Sequence, residues 1–251
     1  METPGSLFAR HERTFHDFRF VYPVISRRSG GVSVGVNLNP DKVCNFDCIY
    51  CQVDRTSAGG SKFVDVERLE FELEHVLRIA LDGTLFQDPK FAAVETSFRR
   101  VNDIAFSGDG EPTTYQNFDE LIERCAAIKR RLGADAVKMV LITNASMLRR
   151  PHVERGLAIL DANQGEVWAK LDAGSEEYFA LVDRSRFKLR QIVENITHAA
   201  RARPIVIQSL WMRIHDEPPS TAELDAFQDR LNEITAAGES IKLVQIYTFA
   251  R

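Results

Sequence analysis

Cys44, Cys48 and Cys51 fall within eight residues of one another in the stretch VNLNPDKVCNFDCIYCQVDR, with the spacing C-x3-C-x2-C. Thiolates are soft ligands suited to zinc and to iron–sulfur clusters. A structural zinc site closes with four ligands. No fourth Cys or His lies nearby, since His16 and His75 are both distant in sequence. A [4Fe–4S] cluster held by three thiolates leaves one iron open to a further ligand. Spacing alone keeps zinc in competition.

A second stretch, FSGDGEPT over Phe106–Thr113, follows a Val- and Ile-bearing run. Glycines there let backbone amides and carbonyls approach a ligand with no Cβ in the way. By itself the run reads as a tight polar turn. Its place one expected strand after the cysteine loop favours a ligand-cradling loop. Further polar residues stand at expected strand ends: Thr143-Asn144, Lys170-Leu171-Asp172, Gln208-Ser209 and Tyr247-Thr248. Lys170 and Asp172 are i and i+2, so they share one face of a strand and can pair or meet a polar ligand there; a surface-edge position without a binding role is the alternative for each of these strand-end residues. Cys125 reads as a small core residue. His215-Asp216-Glu217 follows the fifth strand on the face of the cysteine loop and reads as solvated loop, with substrate contact as the alternative; the basic residues, densest at Arg184, Arg186, Lys188 and Arg190, read as solvated surface.

These residues need elements to hold them. Strand-like runs cover Val32–Leu38, Val101–Ser107, Ala136–Thr143, Glu166–Leu171, Ile205–Leu210 and Ile241–Thr248, mostly apolar on both faces as buried parallel strands are. Helical patterns cover Val66–Leu81, Phe118–Leu132, Arg149–Leu160, Phe187–Arg201 and Thr221–Ala237; Ser220 and Glu223 fit a capping box before the last. Six βα units in series imply parallel strands with right-handed crossovers. A closed eight-stranded barrel takes about 250 residues, and roughly thirty precede the first of these strands. The expectation is an α/β fold, a partial (β/α)6 TIM-like barrel of parallel strands with outer helices. Residues 1–30 form an N-terminal segment and residues 31–251 a single domain. Loops at strand ends are where such barrels place chemistry.

The bulk numbers agree. The chain has 251 residues, 44% hydrophobic and 27% charged, with a formal net charge of -4. That charge gives no reason to expect nucleic acid as an obligate partner, though a local basic face would allow one. No apolar run approaches the ~20 residues that span a bilayer, and the N-terminus lacks a secretory pattern. A cytoplasmic protein is expected, in which four cysteines do not make a disulfide framework.

The cysteine stretch resembles the radical S-adenosylmethionine superfamily, whose signature is C-x3-C-x-aromatic-C, with Tyr50 in the aromatic position. The resemblance implies that Tyr50 packs near the adenine of the cofactor. It also implies that Gly108, Asp109, Gly110, Glu111 and Pro112 match the family's Gly-Gly-Glu-Pro motif, which holds the methionyl amino group. Asp109 stands where that motif's first glycine is usual, with Gly108 one residue earlier. Asn144, Lys170, Asp172, Gln208 and Tyr247 occupy strand ends that, in the family, reach the ribose, carboxylate and adenine. CNFDCIYCQ, FSGDGEPT, LITNAS, KLDAG and VQIYTFAR together are similar to the wyosine-type group, enzymes that build a tricyclic base on tRNA. The likeness covers roughly residues 20–251, and members generally continue past the sixth strand. It implies an iron–sulfur enzyme that cleaves S-adenosylmethionine reductively and abstracts a hydrogen atom from its substrate, a tRNA base being one specification. A low-potential electron donor of flavodoxin or ferredoxin type follows as a partner. The competing reading is an iron–sulfur or zinc-binding module without turnover, which requires a fourth protein ligand.

Overall fold

The computed structural model describes residues 15–26, 29–236 and 238–248. The N-terminal expectation for residues 1–14, Ala237 at the end of the last helix, and the FAR that closes the VQIYTFAR motif lie outside them. One seven-stranded sheet runs in the order β1-β2-β3-β4-β5-β6-β7. The strands are β1 (Val21–Ser26), β2 (Gly31–Val36), β3 (Val101–Phe106), β4 (Lys138–Thr143), β5 (Gly165–Lys170), β6 (Ile205–Leu210) and β7 (Ile241–Tyr247). From β2 to β7 every neighbour is parallel, and the sheet does not close, so the partial (β/α)6 barrel stands.

β2 and β6 are buried at all six positions. Their apolar runs follow from that, because a strand covered on both faces has no polar side to alternate. One face of β4, β5 and β6 packs under the helices through Met139, Leu141, Val167, Ala169, Ile205 and Ile207. The other face carries Val140, Ile142, Trp168 and Val206 as a small separate cluster on the inner side of the barrel.

β1 was not legible in the sequence. VYPVIS carries Pro23, which confines it to a sheet edge. It pairs antiparallel with β2, Val21 opposite Val36 and Ser26 opposite Gly31. Glu72, buried on helix α1 (Val66–Leu81), fixes its entry. The Glu72 carboxylate accepts from the Phe20 amide at 2.7 Å and the Val21 amide at 3.1 Å, and pairs with Arg68 at 2.8 Å.

The outer helices continue with α2 (Phe118–Arg131), α3 (Pro151–Asp161), α4 (Glu176–Val182), α5 (Leu189–Ala200) and α6 (Thr221–Thr235). α4 has seven residues, too few to show a helical period in the sequence. α5 begins at Leu189, later than the pattern suggested. Half of the expected capping box forms before α6. The Ser220 hydroxyl accepts from the Glu223 amide at 3.2 Å. The Glu223 carboxylate instead crosses to the β5–α4 loop, accepting from the Gly174 amide at 2.5 Å and from the Ser175 hydroxyl. Among the described residues no helix is long and apolar enough to cross a membrane.

Candidate active site

The C-terminal ends of the strands surround a cavity of about 810 Å³. Cys44, Cys48 and Cys51 line it with Tyr50, Gly108, Asp109, Gly110, Glu111, Asn144, Lys170, Gln208 and Tyr247. Of the residues expected in the site, Pro112 and Asp172 lie behind this wall. Pro112 opens a short 3-10 turn, Pro112–Thr114, and Asp172 is 2% exposed beneath Lys170.

The cysteine loop is held from three sides. The Asn45 side chain donates to the Ser146 hydroxyl at 2.8 Å and accepts from the Asn144 side-chain amide at 2.8 Å, which ties the loop to the end of β4. The Asp47 amide donates to the Asp183 carbonyl at 3.2 Å, and the Ile49 amide to the Val182 carbonyl at 2.9 Å, which ties it to the end of α4. Arg55 donates to the Lys42 carbonyl through one nitrogen and approaches Cys51 Sγ at 3.5 Å through another. Burial pushes the Cys44 and Cys48 thiols up from their ordinary value. The Cys48 thiol donates to Asp183 Oδ1 at 3.4 Å. Burial, and then Asp172, push the Asp183 carboxyl up as well.

The glycine loop after β3 lies against the start of the cysteine stretch. A Cβ on Gly108 would come within 2.3 Å of Asn37 Oδ1, and one on Gly110 within 2.1 Å of the Val43 carbonyl oxygen. Both positions therefore require glycine for close approach. Asp109, the departure from the family motif, is braced by Asn37. The Asn37 side-chain amide donates to Asp109 Oδ2 at 2.7 Å, while Asn37 Oδ1 accepts from the Asp109 amide at 3.2 Å.

Glu111 joins this loop to β4. Its carboxylate accepts from the Thr113 hydroxyl at 2.5 Å, the Thr143 hydroxyl at 2.6 Å, the Asn144 amide at 2.7 Å and the Thr113 amide at 3.2 Å. Burial raises the Glu111 carboxyl against the pull of these donors.

Lys170 and Asp172 do pair, at 3.1 Å. Lys170 Nζ also donates to the Tyr247 hydroxyl at 2.8 Å, and sits 4.8 Å from the Tyr50 ring centre and 5.3 Å from that of Tyr247. Two aromatic faces and a carboxylate so surround one ammonium. Burial works against that charge, but Asp172 and Tyr247 outweigh it and hold the ammonium above its ordinary value. Asp172 further accepts from the Tyr50 hydroxyl and from the Leu210 amide at 2.7 Å. Gln208 pairs across to Gln245 at 2.9 Å.

Sequence reasoning missed Asn37, Asn45, Arg55, Asp183 and the inner-face pair Ser33–Asp103. The two asparagines stood in plain sight within VNLNPDKVCNFDC. Asp103, an acid inside an apolar strand, was a usable signal of the same kind as Lys170.

The donor set fits a cluster taking three protein ligands. Three soft thiols share one cavity wall, and the described residues lining that cavity include neither a histidine nor a fourth cysteine. Among the described residues, no three His, Cys, Asp or Glu side chains gather closely enough to hold a single metal ion.

The family model described as the Radical SAM superfamily matches residues 38–218. The chain therefore belongs to the radical S-adenosylmethionine superfamily, and membership implies an iron–sulfur enzyme that uses S-adenosylmethionine. A UPF0026 protein of Helicobacter pylori is 31% identical over 176 residues, 69% of this chain and 49% of that protein. A protein named GTPase Obg of Brachyspira hyodysenteriae is 28% identical over 165 residues, 64% of this chain and 20% of that protein. The matches thus span about half of these relatives or less. Among solved structures, TYW1 with a lysine–pyruvate adduct bound superposes with a TM-score of 0.52 at 14% identity, covering 89% of this chain and 66% of TYW1. SuiB of Streptococcus suis bound to S-adenosylmethionine gives 0.53 at 14% identity, covering 90% and 42%. At these identities the likeness establishes the fold.

Proposed function

We propose that the chain is a radical-initiating enzyme. Cys44, Cys48 and Cys51 hold a [4Fe–4S] cluster, and S-adenosylmethionine occupies the cavity beside it. The observation that carries the reading is the convergence of the three thiols, the Gly108–Glu111 loop and the strand-end residues on one cavity. A bound cluster would supply the electron that splits the cofactor into methionine and a 5′-deoxyadenosyl radical, which removes a hydrogen atom from the substrate.

The chain's own residues bind, orient and exclude water. Gly108 and Gly110 seat their loop against Asn37 and the Val43 carbonyl, which sets its backbone beside the cofactor's methionyl end, and Glu111 fixes that loop to Thr143 and Asn144. Tyr50, held through its hydroxyl by Asp172, presents a ring face to the adenine side of the cavity. Lys170, Gln208 and Tyr247 line the far wall. The cofactor carries the hard chemistry; the barrel positions it and keeps solvent away. Likeness in motifs to the wyosine-type group supports a tRNA base as the hydrogen donor.

The test is anaerobic reconstitution followed by single-turnover cleavage with a strong reductant, repeated with tRNA and with small molecules. Formation of 5′-deoxyadenosine in amounts matching the cluster supports the reading. Four bound irons with no 5′-deoxyadenosine, or a bound zinc with a fourth protein ligand, would replace it with a non-catalytic module.

A further inference from the structure

Several surface arginines of the helical belt are neutralised. Arg78 pairs with Glu74 at 2.6 Å, Arg124 with Glu120 at 3.0 Å, Arg130 with Glu123 at 2.7 Å and Arg155 with Asp119 at 2.6 Å. Arg184, Arg186 and Lys188 differ. All three are exposed, and among the described residues none has a carboxylate within ion-pair distance. They alternate along the loop between α4 and α5. Between them Phe187 turns inward, its ring centre 6.3 Å from that of Phe46, and the Ser185 hydroxyl accepts from the Phe187 amide at 3.2 Å. Neither neighbouring acid pairs with them: Asp183 is 3% exposed and engages Cys48, and the Glu176 carboxylate accepts from the Leu189 amide at 3.0 Å and the Arg190 amide at 3.2 Å.

This loop is fastened to the cysteine loop by the backbone bonds from Asp47 and Ile49. Three uncompensated cations therefore sit within a few residues of a cluster ligand. Cys51, another ligand, is itself exposed. The chain as a whole carries a formal net charge of -4, so a local positive patch beside the cysteines is set against a weakly negative background.

We propose that Arg184, Arg186 and Lys188 form the docking surface for an acidic one-electron carrier protein that reduces the cluster. The inference rests on the function proposed above, which requires one electron from outside for each cofactor cleaved. The step balances simply: the donor is oxidised by one electron, the cluster is reduced by one, and no bond or proton moves. An acidic protein fits better than a nucleic acid. The patch is confined to one short loop, whereas a phosphate backbone is gripped along a longer basic track. A position against the cysteine loop also serves electron transfer, which weakens steeply with distance. Complementary charge raises encounter rates by about 10 to 1,000-fold and is screened by salt.

The test uses cluster-loaded protein and an acidic bacterial flavodoxin photoreduced to its hydroquinone, with its reoxidation followed by stopped flow. Binding of the oxidised partners is measured separately by calorimetry. In R184E/R186E/K188E the second-order rate constant falls at least tenfold, binding weakens in parallel, and the steep salt dependence of the wild type flattens. R184Q/R186Q/K188Q lies between the two. The same reversal at Arg149 and Arg150, cations before α3, changes the rate less than twofold. Reduction by a photoexcited deazaflavin is unaffected throughout, which separates this surface from the cluster itself. A cluster that no reagent reduces would sink the proposed function. A cluster reduced normally by deazaflavin, with flavodoxin rate and binding unchanged in the glutamate variant, would overturn the docking surface alone. An unchanged flavodoxin rate with lost salt-dependent binding of a tRNA transcript would also overturn it, in favour of an RNA surface.

Discussion

Glu111 and Asp172 are both buried carboxylates at strand ends, 3% and 2% exposed, and they are satisfied in opposite ways. Glu111 is surrounded by neutral donors, two hydroxyls and two backbone amides. Asp172 faces a cation, Lys170, along with a phenol and an amide. The first arrangement spreads a charge over many weak partners and joins two loops of the cavity wall. The second concentrates charge in one ion pair and holds an aromatic residue of the cysteine loop. Neutral networks lose one bond at a time. An ion pair fails as a unit, because its surviving partner is left buried and uncompensated.

The largest expected effect falls on the Asp172 side. Lys170→Met leaves the Asp172 carboxylate without its cation and is expected to cost about 3–5 kcal/mol. Urea unfolding of the reduced, metal-free protein measures this; a loss below about 1 kcal/mol would show that Tyr50 and the Leu210 amide suffice, and the contrast with Glu111 would disappear. Thr143→Val removes one donor of several from Glu111 and should cost about 1.5 kcal/mol in the same assay. A loss as large as that of the lysine variant would mean that the Glu111 network also fails as a unit.

The smallest effects are in pH dependence, and they separate the two sites. Burial raises the Glu111 carboxyl in the folded state. Its stabilising term is therefore fully present below the ordinary carboxylate value and is lost as pH rises through the raised one. Unfolding free energy should decline across the mildly acidic range just above the usual carboxylate value, and Glu111→Gln should remove that decline. Lys170 is raised too, Asp172 and Tyr247 outweighing burial. Its term is present below the ordinary lysine value and is lost only in the alkaline range, where Lys170→Met should flatten the profile. A Gln variant with the wild-type slope in acid would remove Glu111 from the account.

What the sequence made legible was local. The cysteine spacing, the glycine run and the period of six strands each fit in a window of a few residues. The i, i+2 relation of Lys170 and Asp172 likewise allowed their pairing, beside contact with a ligand or a place at the surface edge. What it concealed was contact between distant segments. β1 enters the sheet where Glu72, some fifty residues on, captures the Phe20 and Val21 amides. Asn37 braces Asp109 and Asp183 meets Cys48 across 72 and 135 residues, and no local pattern announces such partners. Glu223 looked like one half of a capping box, and only the folded chain brings it to Gly174.

The central claim is that three thiols hold a cluster whose remaining iron takes S-adenosylmethionine. Its most direct measurement is the electron paramagnetic resonance spectrum of the reduced, reconstituted protein before and after that cofactor is added. The expected result is a signal from a [4Fe–4S] cluster in its one-electron-reduced state whose g-values shift on addition, with Cys48→Ala giving no such signal. A spectrum unchanged by the cofactor, or a cluster that assembles unaltered without Cys48, would contradict it.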